Sequence, residues 1–148
     1  MKKFNFQLQN VLEYRQNIED QQKEVLGKAM QRVQEINCRL GELAQEKDRQ
    51  GKTQNRTQTI ILWQREAHLQ YIDSKIYEQA EILTEAKRMA EKHRQKLIEV
   101  SQKRKMIANI KEKRLEEYQR ESAKEELNFL NEAGLVLYRR TQENDLKL

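Results

Sequence analysis

The feature that most constrains this chain is a polar interruption at residues 51–59, Gly-Lys-Thr-Gln-Asn-Arg-Thr-Gln-Thr, between two long stretches in which apolar residues recur at alternating steps of four and three. That alternation puts apolar side chains on one narrow stripe of an α-helix, and repeated over many turns it makes a coiled-coil seam. The interruption has turn chemistry. Gly51 and Asn55 reach left-handed backbone angles cheaply, while Thr53, Thr57 and Thr59 are poor helix formers but competent caps. The sequence therefore predicts an all-α fold in which two long helices form an antiparallel coiled-coil hairpin, the second helix longer and overhanging.

The first arm carries its seam on Phe4, Leu8, Val11, Arg15, Ile18, Gln22, Val25 and Ala29, then after one irregular step on Val33, Ile36, Leu40 and Leu43. Glu19 with Lys23, Glu24 with Lys28 and Glu35 with Arg39 add pairs one helical turn apart in the favourable order, each contributing a few tenths of a kcal/mol. The second arm restarts at Ile60-Ile61-Leu62-Trp63. Its seam runs from Ile72 through Ile76, Gln79, Leu83, Ala86, Ala90, His93, Leu97, Val100 and Arg104 to Ile107. Beyond Ile107 the seam positions become Lys111, Arg114, Tyr118, Glu121 and Glu125, with a thin apolar edge at Ile110 and Leu115, which reads as a helix that has lost its partner. Folding about residue 55 sets Leu43 near Ala67, Ile36 near Ile72 and Ile76, Val25 near Ala86, and Phe4 near Met106 and Ile107. The expected boundaries are helix 1 at about 4–50, a turn at about 51–59, helix 2 at about 60–138 and a frayed tail at 139–148, all in one domain.

Composition supports narrow seams over a thick core. Hydrophobic residues make up 36% of the chain and charged residues also 36%, against roughly 45–50% and 25% in globular domains. The absence of Pro and the abundance of Glu, Lys, Arg, Gln and Leu favour helix over disorder. Cys38 is the one cysteine, which excludes an internal disulfide and suits a reducing compartment. The apolar runs are far shorter than the roughly 20 residues that cross a bilayer. Asn5, Gln7, Gln9 and Asn10 also interrupt any signal-peptide core after the basic Met1-Lys2-Lys3, so the expected location is the cytoplasm.

Nothing in the chain points to catalysis or to a cofactor. There is no glycine-rich phosphate loop, and His68 and His93 stand several helical turns apart with no ligand cluster around them. Exposed carboxylates on paired helices have no water-excluding pocket to hold a substrate. The basic stretch at residues 87–114 is read as a solvated face, or as a docking surface for an acidic protein. Nucleic acid is not read as a partner, because the stretch lacks aromatic residues and is interrupted by acids. The apolar cluster of Leu127, Phe129, Leu130, Ala133, Leu135, Val136, Leu137 and Tyr138 has no complementary stripe left in the chain to cover it, and Gly134 within it is a candidate break.

Phe4-x-Phe6-x-Leu8-x-x-Val11-Leu12-x-x-Arg15, Tyr71-Ile72 after the turn, and Leu127-x-Phe129-Leu130-Asn131-Glu132-Ala133 together resemble the FliJ family, the stalk protein of the flagellar type III export apparatus. The likeness covers nearly the whole chain. It implies a non-enzymatic protein at the inner face of the cell membrane at the flagellar base, which inserts its terminal end into a hexameric export ATPase, meets the cytoplasmic domain of the export gate and escorts export chaperones. The residues it would use at the ATPase ring are Phe4, Phe6, Leu8, Phe129, Leu130, Glu132, Leu137 and Tyr138, and those at the gate are Trp63 and Tyr71. Two alternatives remain open: the stalk of a virulence type III secretion system, and a self-associating structural coiled coil.

Overall fold

The structure, a computed structural model, describes residues 3–52 and 59–145. Two helices account for nearly all of them: α1 at Gln9–Lys52 and α2 at Thr59–Asp145. The fold is all-α and the second helix is the longer, as the apolar periodicity requires. The expected turn falls mainly on residues 53–58, which lie outside the described residues.

The packing divides into two units. The first, Gln16–Gln102, is an antiparallel helix pair. Its direction follows from cross-helix contacts that run oppositely along the two helices. Arg65 Nη2 donates to the Gly51 carbonyl at 3.0 Å, Lys47 Nζ to Asp73 Oδ1, and Gln22 Nε2 to the His93 carbonyl at 3.3 Å. The apolar side chains buried between the two helices are Ile36, Ile72, Ala86 and Ala90, with Ile72 only 1% exposed. The seam is thin, so polar groups enter it. Gln22 also meets His93 Nδ1 at 3.4 Å, and the buried Glu19 accepts from Lys23 Nζ at 3.0 Å. Paired polar side chains in such a seam cost stability and fix register.

The pairing register differs from a simple fold about residue 55. Gln22 lies against His93 and Glu46 against His68, roughly one helical turn further along α2 than that fold sets. The reason lies at the turn end. The carbonyl of Gly51, in the last turn of α1, is taken by Arg65, so the first turn of α2 stands beyond the end of α1. Ile60, Ile61, Leu62 and Trp63 are accordingly exposed.

The second unit, Met1–Arg15 with Lys103–Leu148, joins the start of the chain to the far part of α2. Residues 3–6 are not helical, and α1 begins at Gln9, whose backbone N–H donates to the Phe6 carbonyl at 3.0 Å. A non-helical chain advances about 3.3 Å per residue against 1.5 Å in a helix. Phe4 therefore reaches Tyr118, with ring centroids 5.5 Å apart, and not Met106 and Ile107 as the helical register sets. Phe6 is buried at 5% exposure, and Lys111 Nζ donates to Gln9 Oε1 at 2.9 Å. Polar Lys111 thus marks a satisfied seam position in a helix that is still covered. The half-buried line continues through Leu115, Tyr118 and Ser122, while Arg114 and Glu121, expected on the seam, are exposed.

Helix α2 runs through Gly134 and on to Asp145. Glycine ends a helix by taking a left-handed conformation, and Gly134 does not take one. The segment from residue 139 is helical as far as Asp145, with Thr141 Oγ1 donating to the Tyr138 carbonyl at 2.7 Å.

The register can be checked by oxidation in a Cys38→Ser background. Ala29 and Ala86 line one groove of the helix pair. Ala29→Cys with Ala86→Cys should form a disulfide within one chain, and faster than Val25→Cys with Ala86→Cys. The opposite order would place the helices one turn out of register.

Candidate functional site

Two exposed apolar surfaces stand out, one in each unit. In the helix pair, the first turn of α2 presents Ile60, Ile61, Leu62 and Trp63, the last 76% exposed. A β-branched pair followed by leucine and tryptophan is costly to leave in water, because its apolar surface stays hydrated. Trp63 shares a shallow groove with Leu62, Glu66, Ala67 and Leu69.

Tyr71 lies two helical turns further on and is exposed, but its ring is engaged locally. It stacks on His68 with centroids 6.5 Å apart and planes 18° apart, and Lys75 Nζ sits 5.7 Å from its centroid. Glu78, hydrogen-bonded to Lys75 at 3.0 Å, holds that ammonium above its ordinary range, so the cation over the ring stays charged. Trp63 is therefore open to solvent, while Tyr71 belongs to a small aromatic and charged cluster.

In the other unit, the expected contact residues separate by burial. Phe4, Phe6 and Leu8 face inward: Phe6 is buried, Phe4 is half-buried against Tyr118, and Leu8 is half-buried with its carbonyl accepting from Leu12 N–H at 2.9 Å. Phe129, Leu130, Leu137 and Tyr138 face solvent, with Phe129 70% and Leu130 65% exposed. Glu132 is exposed beside them. Phe129 and Leu130 line a shallow depression with Glu125 and Glu126. Among the described residues, the N-terminal segment thus meets α2 at Tyr118, and further along α2 the side chains of Phe129 and Leu130 are exposed.

Sequence reasoning did not find the role of Tyr118. Its signal was an aromatic residue at a seam position among charged neighbours, one coiled-coil step past Lys111 and Leu115. Nor did it single out Gln9 as the group that satisfies Lys111. No helix among the described residues is long and apolar enough to cross a membrane.

The profile of the family described as Flagellar FliJ protein matches residues 4–143. Neither the comparison with curated proteins nor that with solved structures gives a match.

The burial difference predicts a division between residues that hold the unit together and residues that remain free to bind. Phe6→Ala should cost about 3 kcal/mol and speed amide exchange around Tyr118. Phe129→Ala should leave stability unchanged to within about 0.5 kcal/mol. Equal losses in urea unfolding would mean that the two phenylalanines are equally packed.

Proposed function

Because the chain belongs to the FliJ family of flagellar proteins, we propose that it is a stalk that joins the export ATPase to the export gate, with a different apolar surface for each. Family membership makes it a component of the flagellar export apparatus, in a family of structural parts and not of known enzymes. The finer reading rests on one observation above all: beyond Tyr118, which Phe4 meets, the stripe of α2 carries the exposed apolar side chains of Phe129 and Leu130. Side chains such as Phe129 and Leu130 gain most by entering an apolar sleeve, and the centre of a hexameric ring supplies one.

The roles divide as burial divides them. Phe129, Leu130, Leu137 and Tyr138 touch the ATPase, with Glu132 at the rim. Phe4, Phe6 and Leu8 serve from beneath by holding α2 in place. At the other surface Trp63 is the anchor for the gate, and Tyr71, stiffened by His68 and Lys75, flanks it. The groove between the paired helices, lined by Ala29, Ile82, Ala86 and Met89, offers escorted chaperones a shallow apolar track. The site of action is the cytoplasmic face of the membrane at the flagellar base.

The test uses the two partners separately. Leu130→Asp with Tyr138→Ala should abolish binding to the ATPase hexamer and keep binding to the gate's cytoplasmic domain. Trp63→Ala should do the reverse, weakening gate binding by roughly 10–100-fold as loss of a hot-spot tryptophan does. Swimming in soft agar should fail for both variants. Retained ATPase binding by the first variant would overturn the assignment of that end.

A further inference from the structure

The stripe that α2 leaves uncovered is laid out symmetrically about Ala133. On one side, at helical spacings of three, four and seven, lie Leu130, Phe129 and Glu126. On the other, at the same spacings, lie Val136, Leu137 and Arg140. These positions share one face of a continuous helix, because steps of three and four return to the same side. That face continues the half-buried line of Leu115, Tyr118 and Ser122, on which Phe4 meets Tyr118. Phe129, Leu130, Val136 and Leu137 are exposed, as are Glu126 and Arg140.

From this layout we infer that the stripe takes a second copy of the same chain, as an antiparallel two-helix seam with its two-fold axis at Ala133. Antiparallel pairing about that residue sets Leu130 against the partner's Val136, Phe129 against the partner's Leu137, and Glu126 against the partner's Arg140. Every layer is then apolar on apolar, and both ends carry opposite charges. A parallel pair would bring Glu126 onto the partner's Glu126 and Arg140 onto the partner's Arg140, which is repulsive at both ends. The neighbouring charges repeat the preference: Glu125 lies before the apolar block and Arg139 after it. At the axis, Ala133 and Gly134 are small, and on the side of Gly134 where a Cβ would stand nothing else lies within 4 Å, so two helices can approach closely.

The contact is isologous and short. It closes on itself as a dimer and cannot grow into a filament. Its area falls in the weak, transient class, so it responds to concentration and yields to a tighter occupant of the same stripe. The inference does not depend on the stalk reading. Taken with it, the dimer is the free form, in which the apolar stripe is shielded until the ATPase displaces the second copy.

Two experiments on the full chain decide it. Sedimentation velocity from ~5 to ~300 µM should show a monomer passing reversibly to a dimer, as weak interfaces do. Arg140→Glu alone and Glu126→Arg alone should each weaken the dimer roughly tenfold, and the double variant should restore it, since the exchanged charges again meet in opposite pairs. In a Cys38→Ser background, Ala133→Cys should cross-link between chains on oxidation, whereas Glu126→Cys and Arg140→Cys should not link to themselves. A monomer at every concentration, no rescue by the charge exchange, or self-linking at 126 and 140 would each overturn the proposal. Failure here leaves ATPase binding by the wild-type chain untouched, and loss of that binding leaves the sedimentation result untouched, so the two readings fail separately.

Discussion

Each helix of this protein offers its neighbour a stripe only about one side chain wide, and the rest follows from that limit. A stripe so narrow buries little: among the described residues the buried apolar set is Phe6, Ile36, Ile72, Ala86 and Ala90. With so small a hydrophobic contribution per turn, a slip of one turn would cost little on apolar grounds alone. Pairing must then be specified by groups that fit in one place. Gln22 against His93, Lys47 against Asp73, and Arg65 on the last turn of α1 are such groups. Each is modest in energy, but each is satisfied in one alignment only.

The same limit explains why surface charge is mostly local. The pairs Glu24 with Lys28 and Glu85 with Arg88 lie within one helix, where hydrogen bonding to the cation keeps each carboxyl below its ordinary range. These contacts support the helices one at a time and say little about which stripe meets which. Specificity and helix stability are therefore carried by different residues. Exchanging a pair on the outer face should matter less than its short distance suggests.

The periodicity made the two helices, their order and their inequality legible, because spacing alone decides which residues share a face. It also exposed the uncovered block from Leu127 to Tyr138. The register was less legible. A fold about residue 55 treats the chain as helical from Phe4, whereas residues 3–6 run out of helix and carry Phe4 to Tyr118. Lys111 misled for a related reason. A charged residue in a seam signals exposure unless something accepts its hydrogen bonds, and the acceptor, Gln9, lies far away in sequence. Which phenylalanines are packed and which are exposed cannot be read from spacing, since Phe6 and Phe129 are the same side chain in different surroundings.

Helix α2 is continuous from its packed part into its uncovered part, passing Tyr118, Ser122 and Gly134 without interruption. Starting a helix is the unfavourable step, and extending one is nearly neutral for each residue added. The packed part therefore acts as a nucleus for the uncovered part, which never has to begin a helix on its own. Whatever docks on Phe129 and Leu130 meets a helix already wound and loses little entropy in ordering it. Shortening the cover over Tyr118 would remove that advantage and turn the same surface from a ready helix into one that must fold as it binds.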